Sequence, residues 1–305
     1  NHGFDAIAKE LQLLAIENTT LEVSGFRKIA ALCTTLSLHK KFFKKFKEYY
    51  PLLLTYSEKF EENKSIPEEI GHVIDKFGEI KDSASPELKH VRQQMNGVRG
   101  KINQSFGMAM QRYQSSDFLD EIRESVVENR RVLAVKAMHR RKVKGTVMGS
   151  SKTGSIVYII PEATLTYTRE LNNLEFDEKE EIQRILHELT DYIRPSVVIL
   201  AGYQDYLIHI DITAAKAKYA SEMEGVLPKI NTEKKLELRD AYHPLLYLSN
   251  KLKNQKTWPQ TIQLHPENRN IVISGPNAGG KSITLKTIGL LQLMLQSGPR
   301  FNRYR

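Results

Sequence analysis

Residues 275–282 read Gly-Pro-Asn-Ala-Gly-Gly-Lys-Ser and match the pattern G-x-x-x-x-G-K-[ST]. Glycines in such a loop let successive backbone N–H groups point at one anion. The Lys281 ammonium can reach the β- and γ-phosphates of a nucleotide, and the Ser282 hydroxyl can ligate Mg²⁺. The pattern predicts a nucleoside triphosphate site, with an unoccupied glycine-rich turn as the alternative. The predicted nucleotide-binding residues are Gly275, Pro276, Asn277, Ala278, Gly279, Gly280, Lys281, Ser282 and Ile283.

The segments on either side of this loop suit a phosphate site. Residues 270–274 form a short apolar run of strand type, and residues 283–296 are apolar at helical spacing. The loop would then connect a strand to a helix whose N-terminus points at the phosphates. Upstream, the rings of Tyr242, His243 and Trp258 are candidates to flank the base, with core packing as an open alternative.

Composition limits the class of protein. The chain has 305 residues, of which 40% are hydrophobic and 27% charged, as is typical of a soluble protein with more than one unit. The longest unbroken apolar run, residues 197–201, is too short to cross a bilayer, so no membrane partner is expected. The only cysteine, Cys33, excludes an internal disulfide framework and favours a cytoplasmic location. The formal charge of +9 permits a polyanionic partner.

Helical periodicity dominates the rest of the chain. Residues 1 to about 80 indicate several helices, and the sequence Ser85-Pro86-Glu87 is typical of a helix start. Two long helices, one after Ser85 and one after Pro161, carry apolar seams that predict an antiparallel coiled-coil arm. The seam of the second helix has a gap at Glu178. The first seam comprises Leu88, Val91, Met95, Val98, Ile102, Phe106, Ala109 and Tyr113.

Between these helices, β-branched runs separated by glycines and serines predict a small antiparallel sheet at the tip of the arm. Residues 130–144 contain seven lysines and arginines and no acid, which suits the neutralisation of nucleic-acid phosphates. A solubilising hairpin is the alternative. The Lys-rich residues 40–47 are a second basic stretch, interpreted as a solvated helix face over a phenylalanine core. The predicted DNA-binding residues are Arg130, Arg131, Lys136, Arg140, Arg141, Lys142 and Lys144.

The position of the phosphate loop in the chain is unusual. Only 23 residues follow Ser282, whereas such a loop normally begins an α/β domain of well over about 100 residues. We therefore expect an internal fragment of a longer protein, cut soon after the first helix of its ATPase domain. Acidic Mg²⁺-site residues would lie outside it, so no catalytic residue is predicted within the chain and the fragment is expected not to hydrolyse ATP.

Several of these segments together resemble the MutS family of DNA-repair ATPases, in its second bacterial branch, the MutS-like endonucleases. The resemblance lies in residues 82–88 and 128–136, in residues 154–162, in the segment Arg239-Asp-Ala-Tyr-His-Pro-Leu-Leu246, and in residues 275–289. It covers nearly all of the chain up to about Gly298. The basic residues 299–305 depart from the family pattern.

The resemblance implies a mixed, mainly α fold. The implied regions are a helical core at 1–84, an outgoing lever helix at 85–125, a small β clamp at 126–161, returning lever and core helices at 162–228, and the truncated start of an ABC-type α/β P-loop ATPase domain at 229–305. It further implies ATP and Mg²⁺ as cofactors, branched or duplex DNA as partner, a homodimer in the whole protein, and a nuclease module outside this chain.

Four functions are compatible with the sequence. The favoured one is an ATP-dependent protein that binds branched or recombining DNA in repair and in suppression of recombination. An ATPase of the same branch acting on structured RNA or on stalled ribosomes is the first alternative. A structural-maintenance-type coiled-coil ATPase is the second, although there the phosphate loop precedes the long coiled coil. A non-catalytic interaction fragment is the third.

Overall fold

A computed structural model describes residues 4–128, 130–276 and 280–297. The structure is 59% helical and contains a small antiparallel sheet, which confirms the expected mainly α class. It divides into two compact units, unit 1 (Asn1–Gln204) and unit 2 (Asp205–Arg305). None of the helices in the described ranges is both long and apolar enough to cross a membrane.

Unit 1 begins with a helical region in which α2 packs against α3 and α4. Apolar residues at helical spacing along α2, among them Phe26, Ile29 and Leu36, are fully buried there. The Arg194 guanidinium also holds the loop between α1 and α2 in place, because it donates hydrogen bonds to the carbonyl oxygens of Leu14, Ile16 and Thr19. The helices of this region are α1 (Ala8–Leu14), α2 (Val23–Lys45), α3 (Pro51–Glu58) and α4 (Ser65–Val73).

Two long helices, α5 (Pro86–Ser115) and α6 (Glu162–Ile193), run antiparallel along each other. The first helix begins as the sequence predicts, because the Ser85 hydroxyl accepts a hydrogen bond from the Leu88 N–H at 2.9 Å. The gap in the second apolar seam is filled by an ion pair, in which Arg92 Nε of α5 lies 2.7 Å from a carboxylate oxygen of Glu178. A third long helix, α7 (Val197–Glu222), follows α6 after a short 3₁₀ turn.

A four-stranded antiparallel sheet connects α5 to α6, in the order β1-β2-β4-β3. The helix α5 ends at Ser115, and the first strand begins at Leu119. The sheet therefore begins before residue 126, where the sequence placed the start of the clamp. The start of β3 needs glycine, since a Cβ on Gly145 would overlap the carbonyl oxygen of Ile160. The strands are β1 (Leu119–Val127), β2 (Arg130–Lys136), β3 (Gly145–Ser150) and β4 (Ile156–Pro161).

One face of this sheet packs against the end of α5. Phe106 of α5 contributes to the same buried cluster as Leu133 and Ile159 of the two central strands. The 3₁₀ turn Ala137–Lys142 lies between β2 and β3 and therefore carries much of the basic segment, residues 130–144. The sheet thus holds that segment at the end of the two long helices.

Unit 2 contains the two-stranded antiparallel sheet of β5 (Leu236–Ala241) and β6 (Gln260–Leu264), with α8 (Pro244–Leu252) between the strands. Apolar residues alternate along residues 235–239 and 261–264, and this alternation predicts both strands. The last helix, α9 (Lys281–Gln296), packs Leu291 and neighbouring side chains against Leu238 and Ala241 of β5. This small core positions the helix that follows the predicted phosphate loop.

The prediction of a strand at residues 270–274 is wrong. In the described part of unit 2, β5 and β6 pair only with each other, and residues 270–274 have no strand assignment. Val272 is 91% exposed. The physical reason is that an apolar run becomes a strand only when a neighbouring backbone accepts its hydrogen bonds, and no described strand does so here.

Candidate functional site

The predicted phosphate loop, residues 275–282, is described at both of its ends. Gly280 has a left-handed φ of 79° and immediately precedes α9, whereas Gly275 has a φ of 145° at the other end of the loop. Both values lie where side chains other than glycine are disfavoured, which gives a physical reason for these two glycines. Asn277, Ala278 and Gly279 lie outside the described residues.

Lys281 turns back over this loop. Its Nζ donates to the carbonyl oxygen of Pro276 at 3.1 Å and to that of Gly275. These carbonyl groups belong to the loop that the sequence assigns to phosphate. The ammonium is therefore held beside the loop, from where it can exchange carbonyl partners for anionic oxygens, which form stronger hydrogen bonds with it.

Ser282 is exposed at the second position of α9, and Ile283 is half-buried beside it. The helix forms at once after the loop, because the N–H groups of Ile283 and Thr284 both donate to the Gly280 carbonyl at 3.1 Å. The partial positive charge of a helix N-terminus therefore coincides with the end of the loop. A hydroxyl at this position can serve as one oxygen ligand of a nucleotide-bound Mg²⁺, which fits the donor set that this ion prefers. Elsewhere, no group of three or more His, Cys, Asp or Glu side chains suited to a metal ion occurs within residues 4–128, 130–276 and 280–297.

The aromatic candidates upstream have other contacts in the structure. His243 caps α8, where its Nδ1 accepts a hydrogen bond from the Leu246 N–H at 3.3 Å. Burial lowers the pKa of His243 below its ordinary value of 6.5, and the nearby Lys286 ammonium lowers this pKa further. Tyr242 packs against the ring of Tyr247, with 5.3 Å between centroids.

Trp258 differs from these two residues, because it is 71% exposed. The Lys256 ammonium lies over its ring, 3.8 Å from the centroid. An exposed indole of this kind can stack on a planar group from solution. Of the three aromatic candidates, Trp258 is therefore the one with the most surface left to offer a nucleobase.

Carboxylates from outside the basic segment contact two of its cations. Arg131 donates to Glu124 on the neighbouring strand β1, at 2.6 Å from Nη2, and lies over the ring of Phe106. Lys136 donates to Asp117 at 2.8 Å, and this hydrogen bond is the main reason that the pKa of Asp117 is lowered. Two of the seven cations therefore have carboxylate partners in the structure. The matching carboxylates come from β1 and from the turn before it, outside the 15-residue window.

The other five cations form no ion pair with any described residue. Lys142 lies 5.2 Å above the centroid of the Phe118 ring, and the other four are exposed. Cations without a carboxylate partner remain available to phosphate oxygens. The five are Arg130, Arg140, Arg141, Lys142 and Lys144.

The structure also contains a cleft that the sequence did not reveal. It lies between α5, α6 and the start of β2 and has a volume of about 460 Å³. Arg99 and Asn103 of α5 line it together with Arg130, Thr168 and Asn172. The only signal in the sequence was the four-residue spacing of Arg99 and Asn103 beside the apolar seam, which is too common on helices to be diagnostic.

No protein-family model matches the chain. Curated proteins named Endonuclease MutS2 do match it. The protein from Leuconostoc citreum (strain KM20) is 37% identical over 233 residues, which are 76% of this chain and 28% of the relative. The protein from Geobacillus sp. (strain WCH70) is 33% identical over 86% of this chain and 32% of its own length. The protein from Shouchella clausii (strain KSM-K16) is 37% identical over 81% of this chain and 31% of its own length.

These matches confirm the resemblance drawn from the motifs, and the chain belongs to the MutS family. Within that family, its relatives are the MutS-like endonucleases that carry the name MutS2. The chain spans about a third of the length of the curated relatives that it matches.

Proposed function

We propose that this chain is the nucleotide-binding and nucleic-acid-binding part of an ATP-dependent protein of the MutS-like endonuclease type. The observation that carries the proposal is the loop at residues 275–282, whose lysine folds back over the loop carbonyls at the start of α9. The relationship to proteins named Endonuclease MutS2 supports it. Hydrolysis of ATP, cleavage of nucleic acid and homodimer formation are proposals for the whole protein.

In the proposed nucleotide site, the loop amides and Lys281 hold the phosphates, and Ser282 is a ligand of Mg²⁺. Trp258 is proposed to stack on the base, with His243 nearby in sequence as the second candidate. Since most of these interactions are made to phosphate oxygens, affinity should depend on the number of phosphates more than on the base.

A series of nucleotides tests this assignment. Titration of the chain with a non-hydrolysable ATP analogue, ADP and AMP in the presence of Mg²⁺ should give affinities that fall in that order. Ser282→Ala should weaken binding of the triphosphate in Mg²⁺ and leave binding in excess chelator unchanged, because the substitution removes only a metal ligand. Equal affinities for all three nucleotides would argue against a phosphate loop.

For the nucleic acid, we propose that α5 and α6 form a coiled-coil arm and that the small sheet at its end binds branched or duplex DNA. The five cations without carboxylate partners support this proposal, because binding to phosphates requires available cations. The proposed interactions are made to the backbone, so binding should follow the shape of the DNA more than its base sequence. Structured RNA is the alternative ligand.

Charge reversal on the 3₁₀ turn tests this second site. Arg140→Glu, Arg141→Glu and Lys142→Glu combined should weaken binding to all DNA sequences alike. They should also flatten the dependence of log affinity on log salt, by about 0.9 for each phosphate that is no longer neutralised. The matched control reverses three lysines of the second basic stretch, Lys40, Lys41 and Lys44. If only the control variant binds more weakly, the DNA lies on α2. An RNA duplex measured in parallel shows which nucleic acid binds more tightly.

A further inference from the structure

One apolar side chain stands out within the basic segment. Met138 is 80% exposed in the 3₁₀ turn Ala137–Lys142, and the four residues that follow it are His139, Arg140, Arg141 and Lys142. An exposed methionine alone has no meaning, since many surface residues are apolar. Its setting among cations makes it unusual, because a polyanion drawn to those cations would meet this side chain.

The turn that carries Met138 is held in place on both sides. Before it, the Ala137 N–H donates to the Ser155 carbonyl at 2.9 Å, and Ala137 packs against the core of the sheet. After it, the His139 ring lies 4.8 Å from the Phe118 ring, and Val143 is buried. The exposure of Met138 is therefore a property of a fixed turn, and its side chain projects from a supported base.

Other exposed apolar side chains of the same sheet have different surroundings. Ile122 and Val126 on β1 are 66% and 65% exposed, but the same strand carries Asp120, Glu121 and Glu124. Phosphates would be repelled from such a strand. Val147 on β3 is less exposed, at 40%, and lies outside the basic segment, residues 130–144. Met138 is therefore the highly exposed apolar side chain that lies among cations, where nucleic acid would meet it.

We propose that Met138 is a wedge that inserts between base pairs where their stacking is interrupted. Apolar side chains flanked by cations can enter a base step while the cations hold the adjoining phosphates. Entering a continuous duplex requires stacked bases to separate, whereas at a branch point the strands exchange partners and the stack between the arms opens at a lower cost. Met138 thereby favours branched over continuous DNA. This inference rests on the proposed binding of DNA by the basic segment.

The test compares a four-way DNA junction with a linear duplex of the same arm sequences, using fluorescence anisotropy and the 305-residue chain. Met138→Ala should bind the junction about tenfold more weakly. Its affinity for the linear duplex should change by less than about twofold, and the salt dependence should stay the same because no charge is altered. Met138→Leu should retain the preference. The matched control is Met108→Ala, which removes another methionine, 58% exposed on α5, and should change neither affinity.

A second readout reports the insertion itself. A 2-aminopurine base at the junction should brighten when the chain binds and should brighten less with Met138→Ala. Unchanged junction affinity together with unchanged fluorescence in that variant overturns the wedge while leaving the DNA-binding surface intact. A failure of the DNA-binding surface is distinguishable from this, because the triple charge reversal at Arg140, Arg141 and Lys142 would then leave even the duplex affinity unchanged.

Discussion

The four-stranded sheet of unit 1 buries the middle of its second strand completely, whereas the two-stranded sheet of unit 2 leaves β6 half-exposed. Val132, Leu133, Ala134 and Val135 of β2 have no accessible surface, so both faces of that strand are covered. No residue of β6 is fully buried. One candidate site in this molecule is therefore carried by a closed core and the other by a small and open one.

The two sites also differ in their chemistry. The basic segment offers several side-chain cations on a rigid sheet, so its proposed interactions depend on net charge and on salt. The predicted phosphate loop offers backbone groups, a helix N-terminus and one lysine, so its proposed interactions depend on local geometry. Substitutions that change core burial and charge separately can test whether the two regions differ in this way.

The largest effect is expected from a truncation in the closed core. Leu133→Ala should lower the free energy of unfolding of its sheet by about 2–5 kcal/mol, because the side chain is fully buried. Ile262→Ala in β6 should cost about 1 kcal/mol, because Ile262 is only partly buried. Hydrogen exchange of the amides of β2 and β6 measures the two sheets separately. Equal destabilisation of both sheets would remove the difference between a closed and an open core.

A smaller effect is expected within the basic segment, between cations with and without a carboxylate partner. Arg140→Gln should reduce the log–log salt slope of DNA binding by about 0.9, since one phosphate is no longer neutralised. Arg131→Gln should reduce it less, because Glu124 already holds that guanidinium. Anisotropy titrations at four salt concentrations measure both slopes. A larger reduction for Arg131→Gln would show that phosphate displaces Glu124 on binding.

The smallest effect concerns His243 in unit 2. Its pKa is lower in the folded chain than in the unfolded chain, so the folded state binds the proton less tightly. The associated stability is present above the ordinary pKa of 6.5 and is lost as the pH falls through the folded value. An NMR titration of the imidazole should show this depressed pKa, and Lys286→Gln should raise it part of the way back. A pKa unaffected by that substitution would mean that burial alone causes the shift.

Local sequence signals predicted much of the fold. The start of α5 at Ser85, the small sheet, and the strands β5 and β6 all follow from caps, alternation and turn residues within a few positions. The strand at residues 270–274 failed, because pairing depends on a neighbouring strand and not on the run itself.

Interactions between residues that are far apart in the chain could not be predicted from the sequence. Arg92 and Glu178 are 86 residues apart, and only the packing of α5 on α6 brings them together. In the sequence, Arg131 and Lys136 look unmatched, since a 15-residue window omits Glu124 and Asp117. The candidate cations were therefore visible in the sequence, whereas the fold determined which of them remain available.

The most direct test of the proposed nucleotide site is the affinity of the chain for a non-hydrolysable ATP analogue with Mg²⁺, before and after Lys281→Ala. We predict that the variant binds about a hundredfold more weakly, because a charge-assisted hydrogen bond to phosphate is removed. Lys286→Gln removes a positive charge from the same helix outside the loop and should leave the affinity nearly unchanged. If Lys281→Ala binds the analogue as tightly as the parent chain, residues 275–282 are not a phosphate loop and the proposed nucleotide site is refuted.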